Sequence, residues 1–140
     1  YAANVAKRAS ALAQVEPMRP MAVIPRMSEL VQAMIKDVLD AYMARDAEKA
    51  LAVWRRDEEV DETYNSLFRE LLTYMMEDPR SIISCTHQLF IAKNVERIGD
   101  HITGVAEQII FVVSGEAPSE ERPKDDSASF AAIDNETKAS

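Results

Sequence analysis

Two pairs of carboxylates, each spaced by four residues, are the side chains of this sequence best suited to chemistry. The first pair is Asp57 and Asp61, and the second is Glu96 and Asp100. Residues four apart lie on the same side of an α-helix, so each pair presents two carboxylates on one helix face. Carboxylate oxygens are the ligands that hard cations prefer. The spacing therefore predicts a metal site, provided that the two faces meet.

The first pair falls where charged residues are not expected. At about 100° per residue, Asp57 and Asp61 lie in the middle of an apolar stripe. The stripe consists of Ala50, Val53, Trp54, Tyr64, Phe68, Leu71 and Met75. Glu96 and Asp100 likewise share one side of a later helix with apolar residues. Burial of like charges costs free energy unless cations or hydrogen-bond donors compensate for it, which favours a function for these acids.

The two pairs also lie at matching heights if their helices form an antiparallel hairpin that turns at Asp78. The midpoint of the first pair lies about 19 residues before the turn and that of the second about 20 after it, a mismatch of roughly 1.5 Å. The sequence thus predicts one site built from Asp57, Asp61, Glu96 and Asp100. Such a donor set suits one or more Mg²⁺, Mn²⁺, Ca²⁺, Zn²⁺ or iron ions, and the sequence does not identify which.

Two other interpretations of the acids stay open. A carboxylate-bridged metalloenzyme in a helical bundle would resemble di-iron proteins, but those need Glu-x-x-His pairs, and His87 and His101 lie off the acidic face. A purely structural interaction module would instead neutralise the acids with Lys93 or Arg97. No Gly-rich phosphate loop or nucleophile motif appears, so the sequence favours a protein that is not an enzyme.

The elements that must position the acids are all helical. Strong helix formers are abundant and there are three glycines in 140 residues. Four helices are predicted: Tyr1 to about Val15, Met21 or Pro25 to Arg45, Asp46 to about Met76, and Asp78 to Val113 or Ser114, with a stop at Gly115. Short connections make neighbouring helices antiparallel, and the fourth helix, apolar on two sides, is expected at the centre.

Bulk properties narrow the class of protein. The net charge of −8 argues against nucleic-acid binding. The single cysteine, Cys85, excludes an internal disulfide and is expected to be a core thiol in a reduced, cytoplasmic protein. We recognise no signal peptide, and no apolar run is long enough to span a bilayer.

The string Asn94-Val95-Glu96-Arg97-Ile98-Gly99-Asp100-His101, preceded one helix earlier by Asp57-Glu58-Glu59-Val60-Asp61, resembles the PhoU family. Its fold is a pair of three-helix bundles, each with two Glu/Asp-x-x-x-Asp motifs that bind metal ions. The resemblance implies an all-α chain with three parts: the final helix of an incomplete first repeat in 1–16, an antiparallel three-helix bundle in 17–115, and an acidic disordered tail in 116–140.

The same resemblance implies a function. PhoU-like proteins are cytoplasmic negative regulators of phosphate uptake and of phosphate-starvation signalling. They are thought to act between a phosphate ABC transporter, through its ATPase, and a sensor histidine kinase, often as homodimers. We therefore expect a regulator that is not an enzyme, contacts the membrane only through its partners and binds no nucleic acid.

Overall fold

The computed structural model describes residues 1–13 and 22–118. In these ranges all regular structure is helical, which confirms the predicted class. The helices are α1 (Ala2–Leu12), α2 (Val23–Ala44), α3 (Ala47–Arg55), α4 (Asp57–Glu77) and α5 (Ile82–Ser114), with a short 3-10 turn at Pro79–Ser81 before α5. The predicted end of the first helix near Val15 and the start of the second at Met21 lie outside the described residues, as does the predicted tail beyond residue 118.

Polar caps define the connection between α2 and α3. Arg45 ends α2 in the left-handed conformation, with φ of 52°. Asp46 then accepts a hydrogen bond from the Lys49 N–H at 2.9 Å, which satisfies one of the free donors at the start of α3. The turn is so short that α3 folds back beside α2, as the sequence predicted.

The ends of α5 also follow the predicted signals. Asp78 accepts a hydrogen bond from the Arg80 N–H at 3.0 Å, and Pro79 opens the 3-10 turn. Gly115 ends the helix with φ of 79°, a conformation that glycine adopts without steric cost. These caps fix both the hairpin between α4 and α5 and the length of α5.

The prediction of one continuous helix from Asp46 to about Met76 is wrong. The helix is interrupted at Arg56, whose N–H bonds to the Val53 carbonyl three residues back instead of four. No glycine or proline lies near the break. The Arg56 guanidinium instead binds Asp37 on α2, at 2.6 Å between Nη1 and Oδ2. The acids Asp57, Glu58 and Glu59 form the first turn of the new helix, where negative charge is favourable.

Helix α5 lies at the centre and packs against α1, α2, α3 and α4. Its buried residues include Cys85, which is fully buried as predicted. They meet a core that α2, α3 and α4 supply. That core comprises Met27, Val31, Met34, Val38, Ala41, Ala50, Val53, Trp54, Val60, Leu67 and Leu71.

Helix α1 folds back along α5 and runs antiparallel to it. At one end, Tyr1 stacks on His101 with 5.4 Å between ring centroids. At the other, Arg8 lies 4.2 Å above the centre of the Phe90 ring and reaches Nδ1 of His87 at 3.4 Å. Both histidines therefore contact α1.

Candidate functional site

The predicted site residues lie on facing sides of α4 and α5. Asp57, Asp61 and Glu96 are buried, with exposed fractions of 1, 4 and 5%. Asp100 is half-buried. Their burial confirms the helix phases inferred from the sequence. Three carboxylates thus lie inside the fold, where each needs a cation or hydrogen-bond donors nearby.

The register of the two helices follows from two contacts. A Cβ placed on Gly99 would lie 3.6 Å from Asp57 Oδ1, so this carboxylate rests against the α5 backbone. Two turns further along α4, the Tyr64 ring lies 4.9 Å from Lys93 Nζ on α5. Both contacts fit the antiparallel hairpin that turns at Asp78. Asp61, one turn before Tyr64, therefore lies level with Val95 and Glu96.

A cation already lies beside one of the acids. Lys93 Nζ donates to Glu96 Oε1 at 2.9 Å. The Lys93 side chain is 35% exposed, whereas that of Glu96 is 6% exposed, so the ammonium reaches inward from the surface. This ion pair is the contact that the purely structural interpretation predicted. It compensates part of the cost of burying Glu96.

The residues fit a hard cation in donor chemistry, since the four side chains offer only carboxylate oxygens. Their present side-chain arrangement is not a preformed cage. Within residues 1–13 and 22–118, no three Asp, Glu, His or Cys side chains come together closely enough to hold a metal ion. The metal site therefore stays a prediction.

Two further polar contacts, which the sequence analysis missed, frame the acidic region. Trp54 Nε1 donates to Glu107 Oε1 at 3.0 Å and joins α3 to α5. Arg56 joins the start of α4 to Asp37 on α2. The spacing of Trp54 predicts a core residue, and Trp54 is indeed 1% exposed. Only the three-dimensional structure brings its indole N–H to a glutamate 53 residues away.

A second surface feature is an apolar groove of about 370 Å³ between the C-terminal ends of α2 and α5. Exposed apolar side chains lie along it, together with Arg45. Its lining includes Tyr42, Met43, Val105, Ile109, Val112 and Val113. Met43 is 82% exposed and Val112 is 73% exposed. Contiguous apolar surface of this kind is typical of protein–protein contacts.

Comparison with known proteins identifies the family of this fold. The model of the PhoU domain matches residues 24–109, which is more than half of the chain and includes all four acids. The chain belongs to the PhoU family. The resemblance first noted in the Glu96–Asp100 string is thereby confirmed.

Individual PhoU relatives agree with the family match. The chain is 57% identical over 124 residues to a phosphate-specific transport system accessory protein PhoU homolog of Caulobacter vibrioides, covering 88% of this chain and 54% of that protein. It is 54% identical over 127 residues to the homolog from Rhizobium meliloti, covering 90% of this chain and 54% of that protein. The chain thus spans about half the length of these curated relatives.

A solved structure carries the same fold. The crystal structure of PhoU from Pseudomonas aeruginosa superposes with a TM-score of 0.77 at 39% identity, covering 81% of this chain and 55% of that one. The helical arrangement around α5 is therefore that of a PhoU protein. Among the described residues, none of the helices has the length and apolar character needed to cross a membrane.

Proposed function

We propose that this chain is part of a negative regulator of phosphate uptake and phosphate-starvation signalling that is not an enzyme. The observation that carries the proposal is the 57% identity, over most of the chain, to a phosphate-specific transport system accessory protein homolog. The regulator acts in the cytoplasm and links a phosphate ABC transporter to its sensor histidine kinase. It reaches the membrane through these partners.

The apolar groove between α2 and α5 supports a function in protein contacts. It offers exposed methionine, valine and aromatic surface of the type that partner proteins cover. The partners that we propose are the transporter ATPase and the sensor kinase, with a second copy of the regulator as a homodimer. Each of these contacts would bury apolar surface that the described residues leave exposed.

A binding assay tests the groove with a matched pair of variants. The full-length protein that contains this chain is titrated with the purified transporter ATPase, and separately with the kinase. Met43→Glu places a charge in the groove, whereas Met76→Glu places one at a similarly exposed methionine elsewhere (82 and 77% exposed). We expect Met43→Glu alone to weaken binding. Equal binding by both variants would remove the groove from the proposal, and no binding by the parent would overturn the proposed partners.

We also propose that Asp57, Asp61, Glu96 and Asp100 bind one or more divalent or iron ions. Burial of three of these acids on facing helices supports the site. A bound cation would neutralise their charge and join α4 to α5, and no reaction is assigned to it. Metal analysis of the parent, Asp61→Ala and Glu96→Ala tests this assignment. Unchanged metal content in both variants would contradict it.

One observation favours a second candidate function, a structural interaction module without metal. The Lys93–Glu96 pair provides an internal counter-charge for one of the acids. In that case, the protein binds its partners equally well with and without a chelator, and elemental analysis finds no metal bound in stoichiometric amount. The two candidates are separated by the same binding assay, repeated in the presence of a chelator.

A further inference from the structure

The position of Lys93 bears on how the acidic site binds a cation. Its ammonium lies 2.9 Å from Glu96 Oε1 and 4.9 Å from the centre of the Tyr64 ring. Glu96 is on α5 and Tyr64 is on α4, so the ammonium lies at the seam between the helices that carry the acids. It therefore occupies a place where a positive charge is stabilised by a carboxylate and an aromatic face.

A metal ion and the Lys93 ammonium make competing demands on Glu96. A lysine ammonium offers donors alone and cannot itself be a metal ligand while it is charged. A metal ion bound at Glu96 would in addition be repelled by a positive charge at this short distance. The Lys93 side chain is 35% exposed and has a long flexible stem, so it can turn outward into water.

We propose that Lys93 is a built-in counter-cation that competes with metal for Glu96 and so sets the metal affinity of the site. This inference rests on the proposed metal site. Without metal, the ammonium holds Glu96 and stabilises the buried acids. With metal, Lys93 swings outward.

Calorimetric titration with Mn²⁺ tests the competition on the full-length protein. Lys93→Met removes the charge and keeps most of the stem. We expect Mn²⁺ to bind more tightly, on the order of tenfold, because the ion pair no longer occupies the Glu96 carboxylate. Lys93→Arg keeps a cation that can hold the carboxylate, so Mn²⁺ binds no more tightly than to the parent. Arg97→Met is the control for general charge, since Arg97 lies towards Tyr1 on the α1 side, with its Cζ 6.0 Å from the ring centre. We expect Arg97→Met to bind Mn²⁺ with the same affinity as the parent.

The possible outcomes distinguish a failure of the proposed competition from a failure of the proposed metal site. Equal Mn²⁺ affinities for the parent and Lys93→Met would overturn the competition and leave the site intact. Equal gains for Lys93→Met and Arg97→Met would overturn it as well, because they would show a general field effect. If no variant binds Mn²⁺, both the metal site and the competition are wrong.

A second measurement uses only the parent protein, so it does not depend on whether a variant folds. Amine acetylation of the parent is followed by mass spectrometry with and without Mn²⁺. Lys49 is the internal control, because it is 37% exposed and paired with Asp40 at 3.2 Å, on a different part of the surface. We expect Mn²⁺ to raise the labelling of Lys93 several-fold relative to Lys49. An unchanged ratio at saturating Mn²⁺ would overturn the inference.

Discussion

Arg56 Nη1 lies 2.6 Å from Asp37 Oδ2 and ties the break between α3 and α4 to the middle of α2. Arg56 immediately precedes Asp57, the first residue of α4 and the most deeply buried of the four acids. The Arg56–Asp37 pair therefore joins the start of α4, next to Asp57, to α2.

A double-mutant cycle measures this connection. Arg56→Gln, Asp37→Asn and the combined variant are compared with the parent by urea unfolding followed by circular dichroism. The side chains are 39 and 25% exposed, so solvent screens the pair and we expect a coupling energy of about 0.5–1 kcal/mol. Asp37 also lies 3.8 Å from Lys49, and this contact cancels in the cycle. A coupling of zero would show that the pair does not stabilise the fold.

The contact of Asp57 with the α5 backbone leads to a second prediction. A Cβ on Gly99 would lie 3.5 Å from Val60 Cγ1 and 3.6 Å from Asp57 Oδ1, which are ordinary contact distances. Gly99→Ala should therefore be tolerated and gain up to about 1 kcal/mol from helix propensity. Gly99→Leu must push Val60 and Asp57 away, at a cost of roughly 1–3 kcal/mol.

Gly104 is the matched control on the same helix. No atom lies within 4 Å of its added Cβ among the described residues. Gly104→Leu should accordingly raise or preserve the free energy of unfolding, again measured in urea. Equal losses for Gly99→Leu and Gly104→Leu would contradict the close packing of α4 on α5 at Asp57.

Much of this arrangement could be predicted because the signals are local. The period of the apolar residues placed Asp57 and Asp61 on the buried side of α4, and the cap at Asp78 set the hairpin. Together these two signals predict that Asp61 and Glu96 lie at the same height along the hairpin. Each step needed the spacing of residues within one helix or the length of one connection.

The break at Arg56 could not be predicted in the same way. Arg55 and Arg56 are good helix formers, and the contact that accompanies the break comes from Asp37, 19 residues earlier on another helix. The three acids that open α4 were a usable signal, because negative charge gathers at helix N-termini. The sequence analysis interprets Asp57 as a metal-site residue and does not use this signal.

A third prediction concerns the fully buried Gln88 on α5. Neither its amide nitrogen nor its amide oxygen makes a hydrogen bond within the part of the chain that the structure describes. A buried amide without partners costs free energy, and methionine has nearly the same shape without the polar atoms. Gln88→Met should therefore raise the free energy of unfolding by about 1 kcal/mol or more.

Thr103 provides the comparison for Gln88. It is equally buried, but its hydroxyl donates to the Gly99 carbonyl at 2.9 Å. Thr103→Val removes a satisfied group, so urea unfolding should show a loss or no change instead of a gain. A loss of stability in Gln88→Met would mean that the amide makes compensating contacts in the native protein.

The last prediction concerns acid stability at the hairpin. The hydrogen bond from the Arg80 side chain, followed by that from its backbone N–H, lowers the pKa of Asp78 below its usual value of 3.8. Because the folded-state pKa is the lower one, the charged Asp78 stabilises the fold fully above this value and loses its effect as the pH falls through the folded-state pKa. Asp78→Asn should thus lower the melting temperature at neutral pH, and the difference from the parent should shrink in acid.

In an Arg80→Gln background most of this pH dependence should disappear, since the largest cause of the shifted pKa is then absent. If Asp78→Asn lowers the melting temperature by the same amount at neutral and at strongly acidic pH, the effect does not depend on the charge of Asp78.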